Sequence, residues 1–175
     1  MARAERDSLT GLLNSETTRL RIGQQLDALA GGERGALLVV DVDCFKDVND
    51  THGHLVGDLV LADIARILRE NFRIGDVVGR LGGDEFMVYL DRVGSTDVVL
   101  GKCDRLRRAV ERHEYPGTDC RVTISVGVVL AHAGDTFDDL YGRADEALYA
   151  AKRDGRNRCG LADGALRSPK AAPAP

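Results

Sequence analysis

The sequence predicts an α+β domain in which a mainly antiparallel central sheet is flanked by helices. Three observations lead there. Short apolar runs alternate with helix-periodic segments in the order β-α-β-β-α-β-α, preceded by one further helix. Two of the strands are adjacent in sequence, joined only by Gly82-Gly83-Asp84, which favours a hairpin over a doubly wound parallel sheet. No internal stretch has the composition of a linker, so one domain is expected over residues 1–160.

Each element has its own signal. Residues 16–30 carry Leu20, Ile22, Leu26 and Leu29 at helical spacing, and Gly31-Gly32 ends the run. ALLVV at 36–40 is a continuous apolar run of the kind found in fully buried strands. Residues 55–70 return to helical spacing through Val56, Val60, Ile64, Ile67 and Leu68. DVVGRL and EFMVYL are the two hairpin strands, and glycine tolerates the positive φ of the turn between them. A helix over 96–112 places Val99, Cys103, Leu106 and Val110 on one face. RVTISVGVVL at 121–130 alternates as a strand with one buried face does. Thr136 and Asp139 resemble a capping box before a last helix, which stops at Gly155. The end of the chain, 161–175, includes SPKAAPAP and is expected to be disordered.

Composition narrows the function. The 175 residues are 43% apolar and 30% charged, as in a globular domain that buries a real core. A net charge of -4 with a pI near 5.6 disfavours a broad nucleic-acid or anionic-membrane surface, so phosphate recognition has to be local. No apolar run is long enough to span a membrane. The four cysteines, Cys44, Cys103, Cys120 and Cys159, form no CxxC pair and are expected to be reduced, core-packing thiols of a cytoplasmic protein.

The polar clusters suggest chemistry. Asp41 ends the first strand and Asp84-Glu85 sit at the hairpin tip, so acids from two strand ends can converge on one hard cation. Magnesium suits this pattern, because it takes one or two carboxylates and completes its shell with water and substrate phosphate. The segment DVDCFKDVNDTHGHLVGD, 41–58, adds Asp43, Lys46, Asn49, Asp50, His54 and Asp58, more functionality than a loop needs. Lysine neutralises phosphate, and an Asn with an Asp can match a guanine edge. Ordinary alternatives stand beside these: Asp43 or Asp50 as a helix cap, Lys46 as a solvated charge, Asp58 as a first-turn acid, Gly-Gly-Asp as a plain turn. His52 and His54 have no third soft ligand nearby in sequence, and zinc is set aside.

Taken together these segments resemble the GGDEF-domain family of diguanylate cyclases. The likeness runs from DSLTGLLN at 7–14 through DVDCFKDVND, GHLVGD and RLGGDEF to ADEALYAAKRDGRN, nearly the whole chain. The string GGDEF alone arises by chance at only about one position in a million on average residue usage. The resemblance implies a nucleotidyl-cyclase, palm-like fold and the condensation of two GTP into cyclic di-GMP with release of two pyrophosphates. It implies that Asp41, the Val42 carbonyl, Asp84 and Glu85 hold magnesium, with manganese as a substitute, and that Asp84 or Glu85 assists deprotonation of the attacking hydroxyl. By the same likeness Asn49, Asp58 and His54 form the guanine pocket, Gly82 and Gly83 admit the nucleotide, and Lys46, Lys152 and Arg156 hold the triphosphate. The two-fold symmetry of the product implies a homodimer as the catalytic unit. RIGD at 73–76 is similar to the family's product-inhibition site, with Arg73 and Asp76 binding cyclic di-GMP and Arg105 as a second arginine. Relatives commonly carry a regulatory domain N-terminal to the matched region, so the input signal is not legible here.

Overall fold

The computed structural model describes residues 5–162, so the tail expected to be disordered lies, from 163 on, outside the described residues. In chain order the elements are α1 (Ser15–Asp27), β1 (Arg34–Val42), α2 (Phe45–His52), α3 (His54–Asn71), β2 (Val77–Gly82), β3 (Glu85–Leu90), α4 (Thr96–Arg112), β4 (Ile124–His132), α5 (Phe137–Arg153) and β5 (Cys159–Leu161). The strands form one sheet in the order β2-β3-β1-β4-β5. All pairings are antiparallel except the last, where β5 runs parallel to β4 after the crossover through α5. The predicted α+β class and hairpin are observed.

β1 lies at the centre, and its alternating side chains feed two cores. Ala36, Leu38, Val40 and Val42 pack with α3 and α4, whereas Leu37 and Val39 pack with α1 and α5. Burial on both faces explains why this strand is a continuous apolar run rather than an alternating one. Each fully buried Val or Leu contributes about 1.5–3 kcal/mol. The four-residue stripe of α4, Val99, Cys103, Leu106 and Val110, is fully buried, and the Thr136 hydroxyl caps α5 by accepting from the Asp139 amide at 3.2 Å.

Four sequence expectations are corrected. α2 is a helix within the segment read as a polar loop; its core-facing side is a single pair, buried Val48 and partly buried Phe45 three residues before it, too little to stand out among six polar residues. β5 is three residues long, too short for a pattern. β4 is buried on both faces rather than one, because Ser125 is wholly enclosed and Gly127 lies directly under α5. A Cβ on Gly127 would come within 1.9 Å of the Ala144 carbonyl, and that close approach sets the height of α5 above the sheet.

The cysteines also differ from expectation. Cys103 on α4 and Cys159 opening β5 form a disulfide, with Cα atoms 6.5 Å apart, while Cys44 and Cys120 are exposed and free. Their sequence separation of 56 hides the pairing. Closing a loop of that length restricts the unfolded chain by about 4 kcal/mol in the chain-entropy account.

Candidate active site

The site forms where β1 ends beside the β2–β3 hairpin. Asp41 and Glu85 are cross-strand partners in the β1–β3 register, and the Val42 amide donates to the Asp84 carbonyl at 3.2 Å, closing the ladder at the turn. Gly82 and Gly83 have φ of 138° and 52°, a conformation that favours glycine. A Cβ at either would meet no protein atom within 4 Å, so the turn's outer face is open to a ligand.

Arg80 holds this turn from behind. Its Nε and one terminal nitrogen donate to the Gly83 carbonyl at 3.1 and 2.7 Å, and the other terminal nitrogen bridges both carboxylate oxygens of Asp7 at 3.1 Å. Partial burial works to raise the Asp7 pKa, but hydrogen bonds from the Thr10 hydroxyl and amide and from Arg80 outweigh it and bring the value below the ordinary one. DSLTGLLN thus braces the signature turn, a role its sequence did not reveal.

Two long side chains of α5 reach the acidic pair. Lys152 Nζ lies 2.9 Å from Asp41 Oδ1, and the Tyr141 hydroxyl donates to Glu85 Oε1 at 3.0 Å. The two residues are eleven apart, three helical turns, so they share a face of α5 but stand roughly 16 Å apart along its axis. Only side chains that lean toward each other can reach adjacent carboxylates. Tyr141 was read only as part of an apolar stripe; its helical phase with Lys152 was the available signal. Burial, followed by the Glu85 charge, pushes the Tyr141 hydroxyl up to about 12, so it remains a donor.

The acids themselves are electrostatically strained. Burial is the chief cause raising the pKa of both Asp41 and Glu85. Lys152 opposes this at Asp41 and Tyr141 opposes it at Glu85, while Asp84 and Asp41, respectively, add repulsion. Half-buried, adjacent carboxylates that Lys152 neutralises only in part suit a divalent cation, and the oxygen-only donor set suits a hard one. The three acids do not close on a single point in the way a preformed carboxylate cage would; a magnesium ion that completes its shell with phosphate and water does not require one.

These shifts predict a pH-dependent gain in stability. Because the folded-state pKa of Glu85 is raised, the folded chain holds its proton to higher pH than the unfolded chain, and the penalty of the ionised form is complete only above the folded value. Glu85→Gln keeps the acceptor for Tyr141 and removes that penalty. Without divalent metal it is expected to raise the thermal midpoint at pH 7, with the gain vanishing as pH falls below the ordinary carboxylate value. Melting curves across that range measure it; a gain equal at both ends, or a loss at pH 7, contradicts the assignment.

Asp43, one of the polar residues of 41–58 to which the family likeness gave no role, organises its surroundings. It is buried and accepts from Thr123 Oγ1 at 2.7 Å, Ser125 Oγ at 2.6 Å and the Asn157 amide at 2.9 Å, rather than capping α2. Asn157 in turn contacts Arg107 and Glu111 of α4. The turn that carries Arg156 is thereby tied to β1, and Arg156 itself is exposed with φ of 61°.

The remaining nucleotide candidates lie on α2 and α3. Lys46 is exposed and pairs with Asp50 at 2.6 Å; His54 and Asp58 are exposed on α3. Asn49 differs from these. Its Oδ1 is shielded from solvent without a hydrogen-bond partner, and a Cβ on Gly57 would approach it to 1.9 Å. Gly57 therefore provides the room in which the Asn49 amide sits. The second cluster has another character. Arg73 is 60% exposed, donates to Asp76 Oδ1 at 3.2 Å and also to the Asp91 carbonyl. The Asp76 side chain is only 1% exposed and accepts from the Arg73 and Asp91 amides, so it holds the turn rather than facing outward. Arg105 reaches the same region by donating to the Asn71 carbonyl at 3.1 Å.

Comparison with known proteins bears on this arrangement. A family model described as diguanylate cyclase, GGDEF domain, matches residues 4–158. The chain is 40% identical over 156 residues to diguanylate cyclase DgcM of Escherichia coli, covering 89% of the chain and 38% of that protein. It is 39% identical over 139 residues to diguanylate cyclase A of Treponema denticola, covering 78% of the chain and 37% of that protein. The chain thus spans under two fifths of the length of either relative. Among solved structures, the GGDEF domain of DgcB from Caulobacter crescentus in complex with c-di-GMP superposes with a TM-score of 0.84 at 32% identity, covering 93% of this chain and 98% of that one. No helix among the described residues is long and apolar enough to cross a membrane.

Proposed function

The chain belongs to the GGDEF diguanylate cyclase domain family, and from that membership we propose that it condenses two GTP into cyclic di-GMP, releasing two pyrophosphates. The observation that carries this reading is the pairing of Asp41 with Glu85 beneath Lys152 and Tyr141, next to an open Gly-Gly turn.

In this reading Asp41, the Val42 carbonyl, Asp84 and Glu85 would hold magnesium, with manganese as a substitute. Bound there, the ion supplies positive charge to the triphosphate and acidifies the attacking 3′-hydroxyl. The chain's own residues do the rest. Lys152 exchanges Asp41 for phosphate oxygen, and Lys46 and Arg156 complete the neutralisation of the triphosphate. Asn49 and Asp58 pair with the guanine edge, while His54 lines its pocket. Gly82 and Gly83 let the nucleotide lie against the backbone. Asp84 or Glu85, whichever carboxylate oxygen is left free of the ion, accepts the proton of the 3′-hydroxyl as it attacks the α-phosphorus. Tyr141 keeps the Glu85 carboxylate oriented.

One domain supplies one nucleotide site, and the product needs two. Two chains related by a two-fold axis aim each hydroxyl at the other's phosphorus. Specific activity is therefore expected to rise with protein concentration until the dimer saturates, with two pyrophosphates released per cyclic product. A flat profile from a chain shown by sedimentation to be monomeric would rule out the two-chain reaction.

We further propose that cyclic di-GMP inhibits the enzyme at Arg73, Asp76 and Arg105. The exposed Arg73 offers a planar fork to phosphate or guanine, Asp76 fixes its turn, and Arg105 lies close by. Arg73→Ala is expected to retain GTP turnover while weakening product inhibition at least about tenfold, the loss of one charge-assisted contact. Titrating both proteins with product checks this; identical inhibition curves would leave Arg73-Asp76 as an ordinary ion pair.

A further inference from the structure

We propose that His52, Asp119 and Cys120 form a site for a zinc-type transition-metal ion, separate from the nucleotide machinery. His52 Nε2 lies 3.2 Å from Cys120 Sγ and 3.8 Å from Asp119 Oδ1, and one ligand atom from each residue falls within 4.8 Å of the other two. Among the described residues this is the one trio of potential metal-ligating side chains that closes so tightly. Bond lengths of about 2.0–2.3 Å to zinc place neighbouring ligands of a tetrahedral shell roughly 3.2–3.8 Å apart, so small side-chain rotations admit the ion.

The donor set selects the class of metal. One imidazole nitrogen, one thiolate sulfur and one carboxylate oxygen suit zinc, whereas magnesium and calcium favour oxygen alone. Thiolate and carboxylate together neutralise a dication. Sequence spacing could not reveal the set: the fold brings Cys120 to His52 across 68 residues and leaves His54 outside.

The backbone on both sides of the site is held in place, while the Asp119 side chain is exposed and swings freely toward an ion. His52 ends α2, and its side chain is only 18% exposed, which limits its rotamers. Cys120 lies in the connection from α4 to β4, where its amide donates to Thr118 Oγ1 at 2.9 Å. That connection is anchored by buried Tyr115, whose hydroxyl donates to the Val110 carbonyl at 3.0 Å, and by Gly117, which packs against Val56 of α3. Asp119 and Cys120 line a cleft of about 630 Å³ that is open to solvent, so a hydrated ion can enter and water can take the fourth position. Occupancy would fasten the connection to the end of α2.

Cobalt provides the probe. The full chain, stripped of metal and kept under reductant with excess Mg²⁺ to fill the oxygen-only site, is expected to bind Co²⁺ with a thiolate-to-cobalt charge-transfer band in the near ultraviolet that saturates at one ion per chain and that added Zn²⁺ removes. Cys120→Ser, at an exposed position, should lose the band and weaken zinc binding about tenfold or more. His52→Gln should weaken zinc binding similarly, with its melting curve reporting whether it folds; if it does not, Cys120→Ser decides. Cys44→Ser, which removes the other free exposed thiol, should retain both properties. Absence of the band in the unaltered chain, its loss in Cys44→Ser, or unchanged zinc affinity in Cys120→Ser would each overturn the site.

Discussion

Asp84→Asn is expected to lower cyclic di-GMP formation by about a thousandfold, the scale on which one preorganised electrostatic group acts on a transition state, while leaving the fold intact. The separation of the two effects follows from local structure. The Asp84 contribution to the β-ladder is its carbonyl, which accepts from the Val42 amide and is unchanged by the substitution. The turn is braced by Arg80 at the Gly83 carbonyl and by Asp7 behind it, neither of which uses the Asp84 side chain. Asparagine is also at home in turns. What is lost is one negative charge beside Asp41, and with it, in the proposed mechanism, affinity for the divalent ion. Initial rates at saturating GTP and magnesium, beside a thermal melt, measure both effects. Turnover within tenfold of the unaltered chain would remove Asp84 from the metal site.

The second large effect concerns the base. ATP is expected to be turned over with kcat/KM about 10⁴-fold below that of GTP, because a site built to pair polar groups rejects a ligand that leaves them unpaired. Adenine presents a donor where guanine has the O6 acceptor, and it lacks the 2-amino group. Asn49 is the residue most exposed to this mismatch. Its Oδ1 is shielded from water beside Gly57 without a partner among the described residues, so pairing with a base requires the amide to turn outward, and a base that leaves the turned-out group unpaired costs about 1–3 kcal/mol. Asn49→Ala should therefore narrow the GTP-to-ATP ratio by depressing GTP turnover, without improving ATP. Competition assays with both nucleotides give the ratio directly; comparable turnover of the two would contradict the guanine assignment of Asn49 and Asp58.

Regular packing was legible in the sequence where burial leaves a period. The stripe of α4 and the doubly buried β1 follow from helical spacing and an unbroken apolar run, and Thr136 caps α5 as its spacing with Asp139 suggested. α2 and β5 escaped because one apolar pair in eight residues, or three residues in all, is too short a signal to read. β4 misled because Ser125 and Gly127 are not hydrophobic, yet one is enclosed by Asp43 and the other by the backbone of α5.

The candidate site divides in the same way. Asp41, Glu85 and Lys152 come together because strand register and helical phase are local rules extended through a sheet. Tyr141, Asp43 and the Asp7–Arg80 brace depend on which elements meet, and no local pattern encodes that. Lys46 and Asp76 show the converse: each carries the expected charge, but one pairs with Asp50 and the other turns inward.

The most direct measurement of the proposed activity is incubation of the purified chain with GTP and magnesium at protein concentrations high enough to saturate dimer formation, with chromatographic identification of the products. Cyclic di-GMP and pyrophosphate in a ratio of one to two, formed only when the divalent ion is present, is the expected result. Unconsumed GTP under those conditions, or conversion to any product other than cyclic di-GMP, would contradict it.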